Sequence, residues 1–592
     1  MKKSIAVLMI MTTFLSLCLV PAYAERDVGS SIDYNLMKNA FNEEIERIIQ
    51  IGKAKGAIAT LIVESQELLK AGYGYANEDL GIESDPDLIG YRIGSISKTF
   101  VALAALIAAE DGKLDLYTDI SAYLDGDFPR LQYPVTMHQL LTHTAGFEEY
   151  ITGMAVRNVS DTEPLSITVR KCMPEQIFKP GEVASYSNYG TALAAYVVER
   201  ATGTDFAKYS NDRIFKPLGM NHTTFAHMHD TVYVSHAYMP NGKETLDLYM
   251  NLYPEGSAVS TAHDMGIYIR WLMNDEENLL SLTGKEKLLT KQFSSSDELA
   301  GIGYIWNIKT RNDHTYYDKK GQTLHFYSRI VLIPEFNAGI FLSFNTYVAD
   351  HEINEIVSEV LNLLMGEKEN PTPVTGANID IDGCYVNTWS SFKTAEKLLR
   401  YFIPGRMIEI TGSIIKGYQL DGEKITHLGS NAYDSPIGTI KFIERDGKTF
   451  LATDFSQTYT RINGLENKGV TLIVTVSFLL LSLLYAVISF ANFLRKRTSS
   501  CLTGITTIIK LLSAIGLGIA IYIGMLNYAI LNYTFFIHLT SWLIVMATLI
   551  HLFYSIVNSS GNDIKRLKYT DLLYNIVSIA FCLVLFNLNL LI

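Results

Sequence analysis

Four apolar stretches, at about residues 469–494, 504–527, 538–557 and 570–591, are each near the length of a helix that crosses a bilayer. In lipid every backbone polar group has to be satisfied inside its own segment, so stretches like these have little choice but to be helices. The sequence therefore predicts a C-terminal transmembrane helix bundle of four spans over 469–592. Hydrophobic residues make up 48% of the chain, and their excess is concentrated after Gly469. Arg495, Lys496 and Arg497 follow the first stretch, Lys565, Arg566 and Lys568 precede the fourth, and the loop after the second has no Lys or Arg. The positive-inside rule then makes the basic loops cytoplasmic and puts all that precedes Gly469 on the extracellular side of the cell membrane. Lys510, near an inner end, is expected to snorkel to the interface.

The amino-terminal end agrees. Met1 to Ala24 has Lys2 and Lys3, an apolar run from Ile5 to Val20, and the small-x-small site Ala22-Tyr23-Ala24, which reads as a cleaved signal peptide at 1–24. A formal net charge of −12 argues against nucleic acid as a partner. Acidity keeps an exported protein soluble, and it also concentrates cationic ligands. Of five Cys, Cys18 lies in the signal, Cys501 and Cys582 lie within the membrane-like region after Gly469, and only Cys172 and Cys384 remain outside. They fall in different units without metal-ligand spacing, so no disulfide framework, metal or cofactor is expected.

Between these ends the pattern changes twice. Tyr34 to Ile51 carries Leu36, Met37, Ala40, Phe41, Ile45 and Ile48 at helical spacing, and Ala57–Val63 and Leu68–Tyr75 read as a hairpin around a Glu-Ser-Gln-Glu turn. Helices and loops dominate to about Pro254. Strands return at Tyr317–Lys319, Phe326–Ile333 and Ala338–Phe344, and Glu352–Met365 closes as a helix. Both ends of a unit at 30–366 thus supply one sheet, with a helical region inserted between. Residues 367–376, charged and with two prolines, read as a linker. Short β-rich runs at 377–465 predict a small all-β domain, a barrel or sandwich, that could be a lid, a spacer or a docking surface.

The chemistry gathers at Tyr91–Gly112, YRIGSISKTFVALAALIAAEDG. Ser95 and Lys98 are three apart on one helical face, so hydroxyl and amine come within hydrogen-bond reach. Phe100 to Ala109 is apolar on every side, as in a helix buried at the centre of a domain.

GSISKTF resembles the nucleophile motif of the serine beta-lactamase and penicillin-binding protein family, in the branch related to class C beta-lactamases. PGEVASYSNYG supplies the Tyr-x-Asn of that family as Tyr186, Ser187 and Asn188, and DKKGQ supplies a Lys-x-Gly as Lys319, Lys320 and Gly321. LLTHTAGF (140–147), IFKPLGM (214–220) and GIGYIW (301–306) are further phrases similar to the family's. The resemblance implies an α/β (α+β) catalytic domain, an antiparallel sheet flanked by helices beside a helical subdomain, with the site in the cleft between. It implies Ser95 as nucleophile, Lys98 as its base, and Tyr186 as proton relay. Asn188 would orient Lys98 and the substrate amide, and the backbone N–H groups of Ser95 and Gln322 would hold the oxyanion. Burial, the helix dipole and the nearby Lys319 are expected to favour neutral Lys98. His143 is expected to be a structural hydrogen-bonder and His325 to lie at the cleft rim. Lys320 stands where the family has Thr; it changes the cleft unless strand alternation turns it away.

The function so implied is that of an exported, membrane-anchored serine hydrolase working through an acyl-enzyme, a D-stereospecific peptidase that matures or destroys peptide antibiotics. A beta-lactamase or a cell-wall D-Ala-D-Ala carboxypeptidase is the near alternative, and an esterase the third. A beta-lactam-sensing receptor has no room for an effector in the short cytoplasmic loops and would need a separate membrane-protein partner.

Overall fold

The computed structural model describes residues 33–226, 233–245, 248–374, 379–413, 417–454, 457–462, 464–494, 501–526, 530–559 and 569–591. The predicted signal peptide and the basic loops that set the predicted orientation lie outside the described residues.

Five helices frame the catalytic unit: α1 (Tyr34–Gln50), α2 (Ser97–Glu110), α3 (Asn188–Thr202), α4 (Ala262–Met273) and α5 (Asp350–Met365). The first begins where the Asp33 carboxylate accepts the Leu36 N–H at 2.9 Å. Its Met37, Phe41, Ile45 and Ile48 lie on one buried face, each contributing about 1.5–3 kcal/mol by leaving water. That face packs on a seven-stranded sheet made of β1 (Gly56–Val63), β2 (Gln66–Asn77), β3 (Ile82–Glu83), β4 (Asn307–Arg311), β5 (His314–Gln322), β6 (Tyr327–Ile333) and β7 (Ala338–Phe344). Its order is β4-β5-β6-β7-β1-β2-β3, and β1 pairs antiparallel with β7, Thr60 opposite Phe341. The two ends of the unit therefore do share one sheet.

Strand alternation explains why β1 is buried along its whole length. Ala57, Ala59, Leu61 and Val63 face the core that contains α1 and α5. Ile58 and Ile62 face the larger core, with α2, α3 and α4. The β1–β2 turn is tighter than the sequence implies: Glu64 and Ser65 alone take positive φ, and β2 starts at Gln66.

Beyond residue 374, nine described strands between Gly383 and Arg461 form a second sheet. Its first strand, Gly383–Asn387, lies between Met407–Ser413 and Thr458–Arg461. Its two edges, Glu423–Lys424 and Thr426–Gly429, are neighbours in sequence, so the sheet curls into a nearly closed barrel.

Four apolar helices follow: α6 (Lys468–Leu494), α7 (Cys501–Leu526), α8 (Thr534–Ser559) and α9 (Tyr569–Asn587). The first three are long and apolar enough to cross a membrane, which suggests membrane association; the apolar part of α9, Leu572–Asn587, is shorter. Lys510 departs from expectation. Its side chain is fully buried among the helices, 3.2 Å from Ser578 Oγ and 4.4 Å from the Tyr574 ring centre, so it does not reach for an interface. Hydropathy fixed its depth and left unread the face of the helix on which it stands.

Candidate active site

Ser95 lies in a 3-10 turn, Gly94–Ile96, that runs directly into α2. Such a turn nearly eclipses residues three apart, so the Ser-x-x-Lys spacing survives the departure from α-helical form. Lys98 Nζ donates to Ser95 Oγ at 2.9 Å. The Tyr186 hydroxyl donates to the same oxygen at 2.7 Å. Tyr186 is held just before α3, whose first turn is capped by Ser187 Oγ accepting the Gly190 N–H at 2.9 Å. His143 supports this segment: its carbonyl accepts the Ser185 N–H at 2.7 Å, its Nδ1 accepts the Ser187 N–H at 3.3 Å, and its ring lies 4.5 Å from that of Tyr186. Burial keeps the imidazole well below its usual pKa, so it remains a neutral acceptor, in keeping with a structural role.

The third segment arrives on β5. Lys319 projects into the site, where its Nζ donates to the Ile305 carbonyl at 3.2 Å and lies 5.0 Å from the Tyr186 ring centre. Alternation sends Lys320 to the opposite face, 3.0 Å from Asp350 Oδ2, so it does not shape the cleft. Gly321 is required by space: a Cβ there would lie 1.9 Å from the Ile93 carbonyl oxygen. Gly94 has φ +51°, and a Cβ on it would lie 2.5 Å from the Gln322 nitrogen. Two glycines thus allow the strand end that carries Gln322 to lie against the turn that carries Ser95, bringing close the two backbone segments expected to hold an oxyanion. His325 is buried rather than at a rim.

Two expectations are corrected. Lys98 is not favoured as a neutral amine: burial pulls its pKa down, but the Glu255 carboxylate and Tyr186 outweigh burial and leave it raised. Lys98 Nζ donates to the Glu255 carbonyl at 2.5 Å and to Glu255 Oε2 at 2.9 Å, with both side chains buried. Nor does Asn188 orient Lys98. Its N–H donates to Glu149 Oε2 at 3.2 Å, and the partners of Lys98 Nζ are Ser95 and Glu255. Lys319, without a carboxylate of its own in the site, is lowered to about 7 by burial and by Lys98. Tyr186 is raised by burial.

Sequence reasoning missed Glu255, Glu149 and Trp389. Glu255 had a faint signal as the one charged residue between Leu248 and Ala262. Glu149 is a buried carboxyl pushed up to about 8 by desolvation, with Arg406 opposing the shift. Trp389 comes from the barrel unit, and its ring meets that of Tyr186 edge-on at 5.0 Å. The Arg406 guanidinium lies over the indole, 3.9 Å from its centre. Two carboxylates lock this wall in place. Glu148 Oε2 accepts the Phe392 and Lys393 N–H groups at 2.5 and 3.0 Å, and Glu396 accepts those of Ile151 and Thr152 at 2.6 and 2.9 Å. The barrel unit is therefore part of the site's surroundings as well as an appended domain.

Comparison with known proteins agrees with this architecture. The family described as Beta-lactamase matches residues 41–358, more than half of the chain, and the chain belongs to that family. Protein flp of Staphylococcus aureus (strain N315) is 27% identical over 357 residues, covering 55% of this chain and 70% of flp. Putative penicillin-binding protein PbpX of Bacillus subtilis (strain 168) is 28% identical over 279 residues, covering 45% of this chain and 68% of PbpX. Among solved structures, SurE with D-Leu superposes with a TM-score of 0.53 at 18% identity, over 72% of this chain and all of SurE. At that identity the likeness concerns the fold, and it reaches beyond the catalytic unit.

Proposed function

We propose that this protein is an exported, membrane-anchored serine hydrolase in which Ser95 forms the acyl-enzyme, and that it cleaves peptides at D-amino acids. The observation that carries the hydrolase reading is the Ser95 hydroxyl held between the Lys98 amine and the Tyr186 hydroxyl, beside two glycine-permitted backbone segments. In acylation Ser95 Oγ attacks the carbonyl carbon, its proton passes to the lysine, and the oxyanion rests on the N–H groups of Ser95 and Gln322. Tyr186 returns a proton to the departing amine. Lys319 adds positive charge where a substrate carboxylate or the oxyanion would sit.

Support for a D-residue comes from SurE, a protein of similar fold described with D-Leu. Support for anchoring comes from three helices of spanning length and composition. The test uses the full chain in detergent. A serine-directed fluorophosphonate should label the wild type and leave Ser95→Ala unlabelled; equal labelling of both removes Ser95 as nucleophile. Peptide pairs that differ only in one residue's handedness should then be cleaved at the D-residue and spared as all-L isomers, with slow turnover of a cephalosporin reporter. Fast reporter hydrolysis without peptide discrimination would make the protein a beta-lactamase in activity as well as family.

A further inference from the structure

Lys98 Nζ has three oxygen atoms within hydrogen-bond reach: Ser95 Oγ at 2.9 Å, the Glu255 carbonyl at 2.5 Å and Glu255 Oε2 at 2.9 Å. Beside that buried carboxylate the ammonium form is favoured, and an ammonium has no lone pair for the Ser95 proton. Before it can act as a base it must give up one proton. Side-chain exposure of 0% for Lys98 and 4% for Glu255 separates the pair from bulk water, and Oε2 is the anionic acceptor in contact. Glu255 Oε1 is buried and has no hydrogen-bond partner among the described residues, so the carboxylate is under-satisfied and poised to accept.

We propose that Glu255 is a positioning residue that holds Lys98 as an ammonium ion in the resting site and takes one of its protons as Ser95 attacks. The balance is simple. One N–H bond of Lys98 breaks and an O–H bond forms on Glu255 Oε2, leaving a neutral amine beside a neutral acid. Ser95 Oγ then bonds to the acyl carbon while its proton goes to the Lys98 lone pair. When the intermediate collapses, that proton passes by way of Tyr186 to the departing amine, and the acid returns its own proton to Lys98. The pair carries one extra positive charge while the intermediate stands, opposite the oxyanion, and returns to neutrality when that proton leaves through Tyr186. In a low-dielectric site the first transfer removes two buried charges together, and the cation that follows forms only along with the oxyanion.

The groups that face the pair fit the assignment. Tyr186, raised by burial, faces it from the segment before α3; Lys319, lowered to about 7, faces it from β5; His143, well below its usual value, faces it from the loop after Leu141; and Glu149, pushed up to about 8, stands beyond Glu255. Among the described residues Glu255 is the carboxylate in contact with Lys98.

This inference rests on the reading of Ser95 as nucleophile, and the experiment separates the two. The rate of fluorophosphonate labelling of the full chain is measured from pH 5.5 to 9 for the wild type, Glu255→Gln and Glu255→Asp. No labelling of the wild type sinks the Ser95 reading. With labelling established, Glu255→Gln should fall by about a hundredfold or more at pH 6 and recover most of that loss by pH 9, where Lys98 can release its proton unaided. Glu255→Asp keeps a carboxylate and should keep the wild-type pH profile at a reduced rate. A Gln variant slowed by one factor at every pH, or not slowed at all, overturns the proposal. If the Gln variant does not fold, the wild type carries the test: its labelling rate in mixtures of light and heavy water should curve, as two protons move, and a straight line rejects the coupling.

Discussion

Lys98 and Lys319 are both buried, both about 5 Å from the ring of Tyr186, and yet oppositely tuned. Lys98, on the helical side of the cleft, is matched by Glu255 and is raised; Lys319, on the sheet side, has only the Ile305 carbonyl for a hydrogen-bond partner among the described residues and is lowered to about 7. The difference is set by one carboxylate. The same side chain becomes a member of a neutral proton-exchanging pair on one side of the ring, and a cation whose charge responds to its surroundings on the other.

The largest way to break this comparison is to remove the matched lysine. Lys98→Met and Tyr186→Phe should remain folded, as judged by thermal melting, and lose roughly a hundredfold to ten-thousandfold in labelling and peptide cleavage. Wild-type rates in either would take that residue out of the proton path. Lys319→Met should have a smaller kinetic effect, about tenfold and mainly on substrate affinity, because a charge is lost without a proton carrier.

Lys319 also predicts a stability signature. Its folded pKa lies below the unfolded value of 10.5, so between about 7 and 10.5 the unfolded chain binds the extra proton and stability rises with pH. Denaturant melts of the wild type and Lys319→Met, compared at pH 7 and pH 9.5, should show a steeper rise in the wild type. Equal slopes would remove the depressed pKa. The smallest effect belongs to Lys320→Thr, which restores the family residue. Because Lys320 is paired with Asp350 on the far face, cleavage and reporter hydrolysis should change less than twofold, within the weak coupling of a half-exposed ion pair. A large gain in cephalosporin turnover would put that side chain back in the cleft.

What could be read beforehand was local or periodic. The Ser95–Lys98 spacing, the buried α2, the shared sheet and the Tyr-x-Asn phrase all depend on neighbours within a few residues or on simple alternation. Glu255 was only faintly legible, because its partner lies 157 residues away and an acid outside a long element reads as solvated. Trp389 was hidden for a related reason: a barrel strand announces its inward and outward faces, but not which foreign loop its connection will touch. The neutral-lysine expectation failed with Glu255, since desolvation was weighed without the anion that opposes it. Lys510 failed on orientation around the helix axis, which hydropathy does not carry.

The clamp made by Glu148 and Glu396 has a consequence for the order in which a newly made chain acquires its site. Ser95, Tyr186 and Lys319 are all synthesised before Trp389, Phe392 and Glu396. The segment around Glu396 in turn rests on late residues: Leu398 and Leu399 share a buried cluster with Leu585, Leu588 and Leu590, and the Asn589 side chain donates to the Phe392 carbonyl at 2.8 Å. A nascent chain therefore possesses its nucleophile long before it possesses the wall beside Tyr186, and that wall in turn packs against residues of and after α9. A polypeptide stalled before α9 would thus hold the chemical groups without the contacts that back their enclosure.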